Sequence, residues 1–227
     1  MCGRYTLTKT GDAIARTFSL SQPPEPKPRF NIAPTQPVAA IAHSTSAQPA
    51  SSREYRIFQW GLIPSWAKDP AIGNRMINAR AETAAEKPSF RAAFKRRRCL
   101  VIADGFYEWK REGKQKQPYY IQMADEDLFG MAGLWEVWES GDGSYIESCT
   151  ILTTEPNELM QPIHNRMPVI ISPEDYDLWL DPQQQRNALQ PLLRPYDPEQ
   201  MRSRPVSKTV NNPRNETPEC IEPVAAE

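Results

Sequence analysis

The sequence predicts an α+β fold, one domain with a mostly antiparallel, barrel-like β core decorated by short helices. Three observations predict it. Proline fills 23 of 227 positions, roughly twice the usual ~5%. An interior proline removes a helix hydrogen bond and clashes with the turn before it, which excludes a helical bundle or coiled coil. Short runs of branched and aromatic residues, bounded by turn formers, fill the middle of the chain. Regular alternation of strand and helix, the mark of a parallel sheet, is absent.

The elements follow in order. Residues 5–7 read as a strand directly after the terminus. Residues 21–28 hold four prolines in eight positions and read as an extended connection. Residues 44–52 read as a small polar loop, and 56–63 as a strand of mixed aromatic and branched residues. Residues 78–82 place Asn78, Arg80 and Glu82 at alternating positions, which share one face in a strand. Residues 89–97 have helical spacing, with Phe90, Ala93 and Phe94 on one side and basic residues on the other. The segment 99–109 opens with the apolar run Cys-Leu-Val-Ile-Ala of a buried strand. Residues 119–123, 128–138 and 145–154 read as successive antiparallel strands, with 141–144 turning the last pair. Helical patterns follow at 156–163, 173–180 and 183–193, and an apolar strand at 169–171. No repeat or boundary divides residues 1–227.

Composition narrows the function. No stretch approaches ~18 apolar residues, so no membrane helix is expected. The start lacks the apolar region of a signal peptide. Cys2, Cys99, Cys149 and Cys220 are far apart and form no C-x-x-C, so neither a zinc cage nor a disulfide framework is signalled. A reducing, cytoplasmic location is the default. The net charge of −1 hides an asymmetry: residues 1–120 carry 20 Lys and Arg against 9 Asp and Glu, and the remainder carries 7 against 19. Either the halves neutralise each other, or a basic face awaits a polyanion.

Several residues could carry chemistry. Removal of Met1 would start the chain at Cys2, with an α-amine of pKa ~7.7–8.0 and a thiol near ~8.5 on one residue. The two can attack one aldehyde carbon in turn, giving an imine and then a five-membered thiazolidine; alternatively Cys2 is an incidental terminal residue. His164, in His-Asn-Arg-Met-Pro, suits proton transfer near neutral pH or is structural. Glu108, between Tyr107 and Trp109, is a candidate for a raised pKa and acid–base work, or an exposed strand end. Arg80 and Asn78 suit a phosphate and a sugar hydroxyl, or form a solvated face. Trp60 and Trp66 flank a turn; they are core, or a platform for unpaired bases. The run Lys95 to Arg98 is a solvated helix end, or extends a phosphate track with Arg4, Arg75, Arg80 and Arg91.

Six motifs in order resemble one family. They are Met-Cys-Gly-Arg-Tyr at the start, Phe-Asn-Ile-Ala-Pro-Thr at 30–35, Trp-Gly-Leu-Ile-Pro-Ser-Trp at 60–66, Asn-Ala-Arg-Ala-Glu at 78–82, Asp-Gly-Phe-Tyr-Glu-Trp at 104–109 and His-Asn-Arg-Met-Pro at 164–168. Over residues 2–212 the chain resembles the SOS-response-associated peptidase (SRAP) family, in particular its bacterial abasic-site-processing members. The resemblance implies a barrel-like domain, a positively charged DNA channel and covalent capture of abasic sites in single-stranded DNA. It implies Cys2 as the crosslinking residue, Asn78 beside it, and Glu108 and His164 as proton-transfer groups. It places Arg4, Asn31, Trp66 and Arg80 at DNA-contacting or pocket positions. It implies a monomer and no metal or organic cofactor. The family commonly has Thr-x-x-Ala-Asn where this chain has Thr154-Glu-Pro-Asn157, and proline where it has Ile102. The first departure leaves Thr153 and Thr154 unassigned.

Overall fold

The computed structural model describes residues 2–44, 52–113 and 115–224. The polar loop expected at 44–52 falls almost wholly outside them. β1 (Tyr5–Leu7) is followed by α1 (Gly11–Phe18), β2 (Arg29–Ile32), β3 (Pro37–His43) and β4 (Arg53–Trp60). β5 (Asn78–Arg80) runs directly into α2 (Ala81–Ala84), and α3 (Arg91–Arg96) comes next. The middle of the chain is strands: β6 (Arg98–Ala103), β7 (Gly105–Glu112), β8 (Gln115–Met123), β9 (Phe129–Glu139) and β10 (Tyr145–Thr154). The short β11 (Met167–Pro168) and β12 (Ile170–Ile171), then α4 (Tyr176–Leu180), α5 (Arg186–Leu189) and β13 (Met201–Pro205), complete the order.

The strands form a closed barrel and a second sheet. β4 pairs β3, β3 pairs β6, β6 pairs β9 and β9 pairs β10, all antiparallel. A parallel pairing of β10 with β4 closes the ring, so these five strands expose no long edge. β6 is buried along its whole length, as the Cys-Leu-Val-Ile-Ala run requires. Gly133 lies opposite both Cys99 of β6 and Ile151 of β10. A Cβ there would meet Cys99 Sγ at 2.7 Å, so only glycine fits this close approach. β5 and β11 attach to β10, and β12 to β9. The second sheet is antiparallel, in the order β13-β8-β7-β1-β2. One continuous core fills the space between the two.

Four expectations need correction. The run 99–109 is two strands, β6 in the barrel and β7 in the second sheet. Asp104 makes the break: its carboxylate accepts from Thr6 Oγ1, from Thr8 N at 2.5 Å and from Thr8 Oγ1 at 2.6 Å. β8 does not pair with β9, because β7 and β13 occupy both of its edges. Residues 156–163 form successive turns, in which Asn157 Oδ1 accepts from Met160 N at 3.0 Å and competes with helical pairing. Arg98 is not a solvated helix end but is 1% exposed. Its guanidinium donates to the carbonyls of Phe94, Lys95, Trp179 and Asp181, closing the ends of α3 and α4.

The charge asymmetry is partly neutralised within the fold. Arg29 pairs Glu216, Arg53 pairs Asp177, Arg56 pairs Glu147 and Arg97 pairs Glu136, each joining the basic half to the acidic one. Arg75, Arg80 and Arg91 make no ion pair among the described residues, and all three are exposed.

Candidate active site

Cys2 leads into β1, which lies between β7 and β2 in the second sheet. The start of the chain is therefore held, with the Arg4 carbonyl accepting from Tyr107 N at 3.0 Å. Cys2 is fully buried within the core. Burial pushes its thiol well above the ordinary range, and the charge of Glu108 pushes it further. The thiol is therefore held neutral at rest.

Three more elements converge there. From β5, Asn78 Nδ2 donates to the Cys2 carbonyl at 2.8 Å. Asn78 Oδ1 is buried with no hydrogen-bond partner among the described residues. Such an orphan acceptor costs about 1–3 kcal/mol and is satisfied by any N–H or O–H that enters. From β7, Glu108 is 2% exposed, and burial raises its carboxyl above the usual carboxylate range, while the charge of the terminal amine and then that of His164 partly oppose the shift. The expectation that Tyr107 and Trp109 shape this carboxyl has the wrong face. Strand alternation turns both rings away, into a separate small cluster with Tyr120 and Val206. Glu108 instead shares the face of Phe106, which belongs to the main core.

His164 closes the group. Its Nε2 stands 3.9 Å from Glu108 Oε2, beyond a direct hydrogen bond but within strong charge coupling. Its side chain is 28% exposed against 3% for Glu108, so His164 stands at the mouth and Glu108 at the floor. Arg166 N donates to His164 Nδ1 at 3.1 Å, and the Arg166 carbonyl lies 3.3 Å from the same nitrogen, so the turn holds the ring with Nε2 toward Glu108. Arg166 is itself clamped. It donates to both oxygens of Glu82, at 2.6 and 2.9 Å, and to the Thr153 carbonyl at 2.5 Å. The hydrogen bonds of Glu82 to Arg166 hold its carboxyl below the ordinary value. This clamp, joining α2, β10 and the His164 turn, had no assigned role in the sequence; only the even spacing of Asn78, Arg80 and Glu82 hinted at it. Thr153, left unassigned, belongs to it through its carbonyl.

The four residues expected at DNA-contacting positions divide into two pairs. Trp66 is 59% exposed, and Arg80 is exposed at the end of β5. Asn31 is fully buried, and its amide nitrogen donates to the carbonyls of Val210, Asn212 and Asn215. Arg4 donates to Asn31 Oδ1 and to the Val210 carbonyl, both at 2.8 Å, beneath the Trp109 ring. Arg4 and Asn31 thus anchor the segment 210–215 against the second sheet.

This architecture, with a near-terminal cysteine held just ahead of a central strand beside an amide, a carboxyl and an imidazole, defines a class. The chain belongs to the SOS response associated peptidase (SRAP) family, whose model matches residues 1–213. Among its relatives, the abasic site processing protein YoqW of Bacillus subtilis is 46% identical, over 98% of this chain and 99% of that one. The abasic site processing protein HMCES of Xenopus tropicalis is 36% identical, over 97% of this chain and 78% of that one. A crystal structure of a Bacteroides thetaiotaomicron protein superposes with a TM-score of 0.86 at 28% identity, covering 99% of this chain and 100% of that one.

Proposed function

We propose that the protein processes abasic sites in single-stranded DNA by forming a covalent thiazolidine through Cys2. The observation that carries this reading is the placement of Cys2, buried at the head of a central strand with Asn78 on its carbonyl. The names of the relatives point to the same lesion.

The chemistry follows from the residues. Removal of Met1 frees the Cys2 amine. Glu108, whose raised carboxyl retains a proton more readily, helps open the closed sugar to its aldehyde. The amine attacks C1′, and water leaves to give an imine, with His164 relaying protons at the mouth. Asn78 Oδ1 accepts from the amine or from a sugar hydroxyl. The thiol then adds across the imine, its sulfur bonding to carbon and its proton passing to nitrogen. Aldehyde and cysteine thereby give thiazolidine and water. A neutral thiol favours this order, since the amine must act first. A hydrolase that attacks through sulfur needs a thiolate, and burial opposes one here. Ring closure consumes the imine before it can promote strand cleavage. Exposed Trp66 and Arg80 supply stacking and phosphate contact, while Arg4 and Asn31 hold segment 210–215 in place.

The test is intact mass after mixing the protein with an abasic single strand. The expected adduct equals the sum of both masses less water, withstands heat, and appears only on chains lacking Met1. Cys2→Ser keeps the amine, so it should give a labile adduct that borohydride traps. A heat-stable adduct on chains retaining Met1, or equal heat stability for Cys2→Ser, would overturn the thiazolidine.

A further inference from the structure

A groove of about 710 Å³ lies between α3 and residues 182–189, outside the candidate active site. Its floor is apolar, with Phe94 and Leu189 both buried. Its rim is cationic, from Arg91, Lys95, Arg96 and Arg186, and no Asp or Glu lines it. Arg186 is matched by Glu86 at 2.9 Å. Arg91, Lys95 and Arg96 are exposed and make no ion pair among the described residues.

Helix position favours Lys95 and Arg96, which lie in the last turn of α3, but not Arg91. Arg91 is the first residue of α3, the end at which the helix dipole disfavours a cation. Lys95 stands four residues further on, where a like charge repels it. No carboxylate of the acidic half lines the groove, and four of them gather elsewhere. Asp125, Asp127, Glu174 and Glu199 line a different hollow, of about 420 Å³. Among the described residues, these three cations therefore remain open to an anion from outside the chain.

The groove also begins one short helix away from β5 of the site. α2 starts directly after exposed Arg80 and ends beside Ala85, which forms part of the groove wall. Four helical residues rise only ~6 Å. The two carboxylates along this path are already neutralised, Glu82 by Arg166 and Glu86 by Arg186.

We propose that this groove is a second phosphate-binding site, which takes the sugar–phosphate backbone of DNA beyond the abasic nucleotide. The proposal rests on the DNA reading above. Unpaired bases are held by stacking on exposed rings, and the one ring here, Phe94, is 3% exposed. The groove therefore grips phosphates without regard to base identity.

The experiment compares wild type with the triple variant Arg91→Gln, Lys95→Gln, Arg96→Gln on two abasic single strands. One fills only the active site and the other runs past it. For the long strand, the slope of log affinity against log salt should fall in magnitude by about 2 in the variant, from ~0.7 for each phosphate that is no longer neutralised. The short strand should bind and crosslink equally to both proteins. Circular dichroism should show the variant folded, since all three positions are exposed. Equal slopes and an equal gain from strand length in both proteins would overturn the groove. If wild type forms no adduct with either strand yet keeps its length-dependent affinity, the active-site chemistry fails and the groove stands.

Discussion

Asp104 and Glu108 stand four residues apart in one motif, and both carboxylates are buried. Asp104 receives three hydrogen bonds from Thr6 and Thr8, and it turns the chain from the barrel into the second sheet. Glu108 lies one step into that sheet and faces His164 across 3.9 Å. The hydrogen bonds to Asp104 are short and come from one distant segment, Thr6 and Thr8. Glu108 is desolvated, and its carboxyl is raised. The difference teaches that burial alone does not separate a structural carboxylate from a reactive one. Position does: Asp104 closes a corner of the fold, whereas Glu108 stands in the cluster with Cys2, Asn78 and His164.

Substituting each in turn should break the comparison cleanly. Glu108→Gln should slow adduct formation with abasic single strands by roughly 10²–10⁴-fold, the usual worth of a positioned acid–base group. Its thermal stability should hold or rise, since a neutral amide costs less to bury than a carboxylate. A quench time course on denaturing gels reads the first quantity and calorimetry the second. An unchanged rate would remove Glu108 from proton transfer.

Asp104→Ala should show the opposite balance. It leaves Thr8 N and Thr8 Oγ1 without their acceptor, while Thr6 Oγ1 keeps the Gly105 carbonyl and Tyr120 Oη as partners. The expected loss is on the order of 3 kcal/mol, a fall in Tm of roughly 6–12 °C for a chain of this size. Below the melting transition the adduct rate should stay within a few-fold of wild type. A large loss of rate in fully folded protein would mean that the Asp104 corner sets the position of Cys2 as well as the fold.

The same pair shows what the sequence made legible. The α+β class, the strand after the terminus and the group of Cys2, Asn78, Glu108 and His164 could all be read, because each rests on local pattern or on the order of motifs. The break at Asp104 could not, since the apolar run continues across it and its cause, Thr6 and Thr8, lies far away in sequence. Arg98 was illegible for a related reason. A basic run reads as solvated, and only the approach of α4 turns its last member into a buried cap. The strand β13 escaped notice because Met201–Pro205 alternates weakly and carries two arginines. The clamp of Arg166 on Glu82 and Thr153 joins segments more than 80 positions apart at its widest, which no periodicity encodes.

The smallest expected effect sharpens the comparison most, because one group carries it. Burial raises the Glu108 carboxyl in the folded protein, with the charges of the terminal amine and His164 only partly opposing the shift. At low pH the carboxyl is protonated in both folded and unfolded chains and costs nothing. As pH rises through the ordinary carboxylate range, the unfolded chain ionises first while the folded group keeps its proton. Wild type therefore loses stability across the interval up to the folded pKa, and above it the loss is complete and constant. Glu108→Gln has no proton to lose at that position. The Tm of the variant minus that of wild type should thus grow with pH from the acid side and then level off. Scanning calorimetry of both proteins at matched ionic strength measures the difference. A flat difference from acid to neutral pH would mean that the carboxyl is not raised, and Glu108 would lose its claim to be the proton donor that opens the sugar.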